Sequence, residues 1–414
     1  MKYLPKTARG VASVFLLIGM SAAHAYEQPI TARFTADSSK PHENKFTNTT
    51  PVSGYCAEYP SWCGTSIFSI RVPISFNSTG PIQANHADYR QGAMFNVPVN
   101  WRTAQVRHSV TGETENVEVR FIGVGTRYRL YRQVTDLVGG ESSILAAHAK
   151  LWGGTTWTYP SGPCQTQSTN AAYSGTHFGV FWRTPSAGVC TKQTRYLIPQ
   201  FKYEFLDFAY ELRTPNPLGM SSGLYTGSLV YGMGPRRDID MGDVMVPWDS
   251  VLNFNFRLTV QHALKVDIPP GGNRVELAPQ DGWQAWLSRG RAPTRLFRDQ
   301  TFRISSSARF KMNLECQYTI GNTCAIWDGS GHSAPVDVSV SLPHGLTDDS
   351  GRAVKRRPLL RDGSGTTLFR PGFYVDYKPG TLHFEISQAN AAQMVAEGDG
   401  TYSGNVTVVW DSDI

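Results

Sequence analysis

The stretch Leu252-Asn253-Phe254-Asn255-Phe256-Arg257-Leu258-Thr259-Val260 alternates strictly between apolar and polar residues. Successive side chains of an extended chain point to opposite faces, so this pattern predicts a strand with one face in a core and the other toward water. Outward from it the same period returns at Val117/Val119/Phe121, Leu206/Phe208/Tyr210/Leu212, Val336/Val338/Val340/Leu342 and Leu382/Phe384/Ile386. The 39 glycines and 25 prolines suit the turns between many short strands. No segment carries a long 3.6-residue apolar period, and Ala389 to Ala396 is at best a short helix. Strands that follow strands, without a strand–helix–strand rhythm, predict an all-β protein of antiparallel sandwiches.

The ends and the composition bound the setting. Lys2, Lys6 and Arg9, an apolar run from Val11 to Met20, and Ala23-His24-Ala25 together read as a signal peptide over residues 1–25 with cleavage before Tyr26. That run is too short to span a bilayer, so an exported, soluble protein is expected. Removing 25 of the 414 residues leaves 389, enough for two domains with separate cores. The formal charge of +6 falls to +3 without the three leader cations, too little for a general polyanion binder, and no nucleic-acid partner is expected. Six cysteines in an exported chain read as disulfides. Pairing sequence neighbours gives Cys56–Cys63, Cys164–Cys190 and Cys316–Cys324, one of the 15 connectivities open to six cysteines. No C-x-x-C motif and no nearby histidine suggests a metal.

Few residues suggest reaction chemistry. Gly219-Met220-Ser221-Ser222-Gly223 matches the G-x-S-x-G of hydrolases, but a strand-like segment, Leu224 to Met233, follows where the nucleophile elbow needs a helix. Asp238, Asp240 and Asp243 are of the residue type that calcium and glycosidase sites use, yet beside Arg236-Arg237 they read as a self-neutralising loop without the glycine and terminal glutamate of an EF-hand. No phosphate-binding or dinucleotide motif is present, and neither cofactor nor catalysis is expected. Arginine is unevenly placed: residues 71–132 hold eight arginines, no lysine and four acids, whereas residues 263–414 balance 16 cations with 16 acids. An arginine fork suits a carboxylate such as that of an acidic glycan, although most strand arginines simply face solvent. Trp152, Trp157 and Tyr159 flank Cys164 as core residues or as platforms for sugar rings.

The C-terminal stretch Gly400-Thr401-Tyr402-Ser403-Gly404-Asn405-Val406-Thr407-Val408-Val409-Trp410 resembles the last strand of tip subunits of alternate chaperone–usher fimbriae, the group of the colonisation-factor antigen tip adhesins and the cable-pilus initiator. Leu264-Lys265-Val266-Asp267-Ile268-Pro269 is similar to their first pilin strand, and Phe310 to Cys316 to the strand that leads to a cysteine. In the first half, Pro217-Leu218-Gly219, Gly223 to Leu229 and Arg236-Arg237 follow in the family's order, and the Cys164/Cys190 pair has a counterpart, while Cys56/Cys63 is placed differently.

The resemblance implies two Ig-like β-sandwich domains in tandem: an N-terminal adhesin domain over 26–262 and a C-terminal pilin domain over 263–414, completed by a donor strand. It puts the join near Gln261–Ala263, slightly before the composition break at Pro269-Pro270-Gly271-Gly272. Tyr402, Val406, Val408 and Trp410 would line the donor-strand groove. Arg236 and Arg237 fall where the family carries a paired arginine in its receptor patch, and Arg90, in Asp88-Tyr89-Arg90, resembles a third. The implied role is a fimbrial tip adhesin at the cell surface that binds a host receptor, an acidic or sialylated glycan, and initiates the pilus. Its partners would be a periplasmic chaperone, an outer-membrane usher and the major pilin. The rival readings are a purely structural initiator and a secreted hydrolase.

Overall fold

Val251–Gln261 is hydrogen-bonded along both edges, to Gly223–Gly232 antiparallel and to Ala25–Thr35 parallel. The computed structural model describes residues 25–412 apart from 65–66, 281, 290–294, 366–367 and 398–399. The expected leader, with Lys2, Lys6, Arg9 and the Val11 to Met20 run, lies outside the described residues except for Ala25. The chain is predominantly β, with several sheets.

Leu252, Phe254, Phe256, Leu258 and Val260 are at most 2% exposed. The Phe254 ring packs on Phe121, Phe208 and Tyr231, with centroids 5.1 to 5.9 Å away. Each such side chain contributes about 1.5–3 kcal/mol over its exposed state, and a one-residue slip would turn all five outward. The 17-residue strand Thr114–Leu130 organises the rest. Its first half pairs with Arg102–His108 and Leu206–Arg213, its second with His177–Arg183 and Phe201–Tyr203. Where Gly223–Gly232 meets Arg102–His108, a Cβ on Gly227 would lie 2.2 Å from the Gln105 carbonyl oxygen, so the backbones approach this closely only because residue 227 is glycine.

Short helices depart from the all-strand expectation, at Tyr55–Glu58, Pro60–Cys63, Val134–Leu137, Ile144–Leu151 and Gly282–Arg289. Ile144–Leu151 starts at Ser143, whose hydroxyl accepts from the Ala146 amide, and it buries Ala147, His148 and Leu151. Disulfides join Cys56 to Cys63, Cys164 to Cys190 and Cys316 to Cys324.

A separate cluster of buried apolar side chains forms beyond residue 263. Its larger sheet runs Leu264–Asp267, Leu296–Ser306, Val375–Ile386, Ser333–Ser341, Thr323–Trp327, Tyr318–Ile320. Lys311–Cys316 and Val406–Asp411 pair as a second layer, and Gln388–Ala396 is a short helix. At the join, the His262 ring packs on Phe34, with Nε2 2.9 Å from the Met220 carbonyl oxygen and Nδ1 3.1 Å from Ser307 Oγ. Burial lowers the pKa of this histidine. A second contact brings His42 against Phe373, and the Tyr374 amide donates to the Pro41 carbonyl.

Candidate functional site

The second core is open along one side. Leu296–Ser306 pairs with Leu264–Asp267 at residues 303–306 and with Ala278–Pro279 at 296–297; between them no described strand covers that edge. Opposite, Val406–Asp411 has Lys311–Cys316 as its one strand neighbour among the described residues. A groove of about 410 Å³ lies between, lined by Val266, Leu277, Phe302, Leu382, Val406, Val408 and Trp410 among others. Its floor is core: Phe302 is fully buried and packs on the Trp410 ring at 5.0 Å, with Phe310 buried behind that ring at 5.7 Å. Its wall is not, because Val406, Val408 and Trp410 stay only half-buried. An apolar trough beside partly unpaired strand edges is a template for an added strand.

The residues before this strand explain the rest of the C-terminal pattern. A Cβ on Gly404 would come 2.9 Å from the Ala325 carbonyl oxygen, so only glycine lets the chain pass there. Asn405 is held on both backbone groups, its amide donating to Gln317 Oε1 and its carbonyl accepting from the Gln317 amide. Tyr402 stands apart from the three groove residues: its hydroxyl donates to Glu397 Oε2 at 2.8 Å.

The three arginines singled out in the first unit meet at one loop. Arg236 is 75% exposed in its side chain, and its guanidinium reaches Asp243 Oδ2 at 3.3 Å. Its φ of 60° is left-handed, costing about 1–2 kcal/mol in a non-glycine residue, and its amide is anchored to Asp240 Oδ2. Arg237 is exposed, and its charge adds to the pull of Arg102 on Asp238. Arg90 is enclosed: its side chain is 15% exposed, with Nη1 2.9 Å from Asp240 and Nη2 2.7 Å from Asp243. Its hydrogen bonds to the Asp243 and Asp240 carboxylates raise its pKa further. Asp238 binds Arg102 and the Gly232 amide, and the Arg102 hydrogen bond lowers its pKa. All three aspartates are thus engaged by arginines and amides of the loop.

Trp152 and Trp157 are core residues: Trp152 donates to the Tyr128 hydroxyl, Trp157 stacks on Trp182, and both are at most 4% exposed. Tyr159 is half exposed. Ser221 precedes the Gly223–Gly232 strand rather than a helix, and its hydroxyl accepts from Arg309 at 3.0 Å. The opposite groove wall, Val266, Val275 and Leu277, carries one local sign in the sequence, the alternation of Val275 and Leu277 after the Pro-Pro-Gly-Gly turn.

No protein-family model and no curated protein matches the chain. Among solved structures, it is similar to a chaperone–tip adhesin complex of CFA/I fimbriae at 9% identity and a TM-score of 0.24, covering 94% of this chain and 97% of that one. It is similar to CfaE, the adhesive subunit of CFA/I fimbria of enterotoxigenic Escherichia coli, at 7% identity and a TM-score of 0.25, covering 94% and 92%. It is also similar to the CsuC–CsuE chaperone–tip adhesion subunit complex of the archaic chaperone–usher Csu pili of Acinetobacter baumannii, at 10% identity and a TM-score of 0.21, covering 94% and 98%.

Proposed function

We propose that this chain is the tip adhesin of a chaperone–usher fimbria. Residues 26–262 form the receptor-binding domain and 263–414 an Ig-like pilin domain that accepts a strand from another chain. The observation that carries this reading is the open groove between the edges of Leu296–Ser306 and Val406–Asp411. An extended segment laid there gains main-chain hydrogen bonds along the edges, while every second side chain fills the trough. A periplasmic chaperone holds the groove first, and at the outer-membrane usher the N-terminal extension of the next subunit, the major pilin, replaces it. The chain then stands at the cell surface as the fimbrial tip. Arg236 and Arg237 present the fork that grips an acidic receptor glycan, and Arg90 supports the loop from behind.

The test fuses a donor peptide of alternating apolar residues to the C-terminus of the full chain and compares thermal unfolding with the unfused protein. Several newly buried side chains at about 1.5–3 kcal/mol each, with a Tm change of about 2–4 °C per kcal/mol, should raise the melting of the second unit by about 10 °C or more. An unchanged melting temperature would mean the sandwich is already complete.

A further inference from the structure

We propose that the first unit carries a second recognition site, a groove for an uncharged saccharide, between the Ile144–Leu151 helix, the turn over residues 153–159 and the segment over residues 169–173. The inference rests on the reading of this unit as receptor-binding and goes beyond it in the ligand's chemistry. The groove measures about 640 Å³, within the roughly 300–1,000 Å³ usual for small-ligand clefts. Two aromatic rings wall it in the open: Tyr159 is 51% and Tyr173 46% exposed. Such rings in a monomer's concavity are apolar platforms with a hydroxyl at the edge. A hexose, with a C–H face on one side and hydroxyls around its rim, matches that combination.

The polar lining decides the class of sugar. It consists of hydroxyls and one amide, from Ser143, Thr155, Thr156, Thr158, Thr169 and Asn170, with no charged side chain. Lys192, buried behind Thr155, donates to its Oγ1 at 2.8 Å and to its carbonyl at 3.3 Å. Thr155 Oγ1 is therefore an acceptor toward the lysine and keeps its own proton for a partner outside. The Thr156 and Thr158 hydroxyls bond to each other at 2.7 Å within the buried base of the groove, so the hydroxyls of Thr155 and Thr169 and the Asn170 amide are the ones left to meet a ligand. Beyond Tyr173 an adjoining depression holds Arg127 and His177, both turned to Glu204. A carboxylate seated on the tyrosines would lose water without a fixed counter-charge in the lining, a costly transfer, whereas sugar hydroxyls exchange water for threonine and asparagine.

The site is also held in shape before any ligand arrives. Trp62, at its edge, belongs to the Cys56–Cys63 turn, its carbonyl accepts from Gln167 Nε2 at 3.1 Å, and its ring stacks on Tyr59 at 4.2 Å. The Cys164–Cys190 bridge follows the turn that carries Tyr159. Such preorganisation lowers the ordering cost of binding.

The experiment presents the full chain with methyl galactoside, methyl mannoside, N-acetylgalactosamine, N-acetylglucosamine and N-acetylneuraminic acid, one at a time, and reads binding by saturation-transfer NMR. At least one neutral sugar should bind. The Tyr159→Ala/Tyr173→Ala variant should lose at least tenfold in affinity at an unchanged melting temperature, Tyr159→Phe/Tyr173→Phe should retain most binding, and Arg236→Ala/Arg237→Ala should leave it intact. Binding of N-acetylneuraminic acid alone, binding of none, or binding that persists in the double-alanine variant overturns the inference. Host-cell adherence, measured in parallel, separates the two levels. Adherence with no sugar bound removes the groove and leaves the adhesin reading, whereas a bound neutral sugar without adherence supports the groove and removes that reading.

Discussion

Arg309 of the second unit places Nη2 3.0 Å from Ser221 Oγ of the first. The same nitrogen lies 3.3 Å from Glu113 Oε1, and Glu113 Oε2 in turn accepts from the Tyr225 hydroxyl at 2.6 Å and the Ser221 amide at 3.1 Å. One charge thus fastens the second unit to a turn and a strand of the first. Arg309→Ala should weaken the coupling by about 1 kcal/mol, since both partners of the pair keep some access to water. Calorimetry should show the two units melting further apart; a superimposable trace would mean the contact holds nothing.

Replacing Arg236 and Arg237 with alanine should abolish adherence without unfolding the protein. Alanine inherits the left-handed backbone of Arg236, so the conformational cost is unchanged and the comparison isolates the side chains. Each charge-assisted contact is worth about 1.5–3 kcal/mol, roughly ten- to a hundredfold in affinity. Lysine should restore only part of this, because a point charge lacks the fork. Adherence assays beside melting curves check the outcome: full adherence by the alanine variant excludes these arginines.

Arg90 should behave in the opposite way. Its removal leaves Asp240, 3% exposed in its side chain, without its ion-pair partner, at a cost of about 3 kcal/mol. Arg90→Ala should therefore lower the melting temperature of the first unit clearly, where the Arg236/Arg237 variant does not.

Two histidines give the units opposite responses to pH. The Asp328 hydrogen bond raises the pKa of His332 above 6.5. Its stabilisation is fully present below pH 6.5 and fades as pH rises through the folded value. Burial lowers that of His262, so its effect has the reverse sign, with stability falling as pH drops below 6.5. NMR titration should place the two imidazoles on either side of the ordinary value, and Asp328→Asn should bring His332 back toward it. Coincident titrations would contradict both assignments.

Strand faces were legible because burial with a period of two leaves a local record: the alternating positions of 252–260 and of 117–121 are all core. Partnership leaves no such record. Nothing near Ala25–Thr35 announces that it lies parallel to Val251–Gln261, and nothing near Arg90 announces two aspartates 150 and 153 residues away. The Trp152 and Trp157 pair shows the same limit, since a tryptophan's sequence context is alike whether it faces a sugar or a core. The groove beside the Ile144–Leu151 helix is hidden for this reason too, since its walls come from three segments far apart in sequence.

The parallel seam between Ala25–Thr35 and Val251–Gln261 has a mechanical consequence. The first unit leaves toward the second through Gln261, so tension carried by the chain enters the first unit at the end of Val251–Gln261. That strand is gripped on both sides, and the pull loads the hydrogen bonds of the two seams sideways and together instead of peeling them from one end. A tether attached this way shares its load over the whole strand.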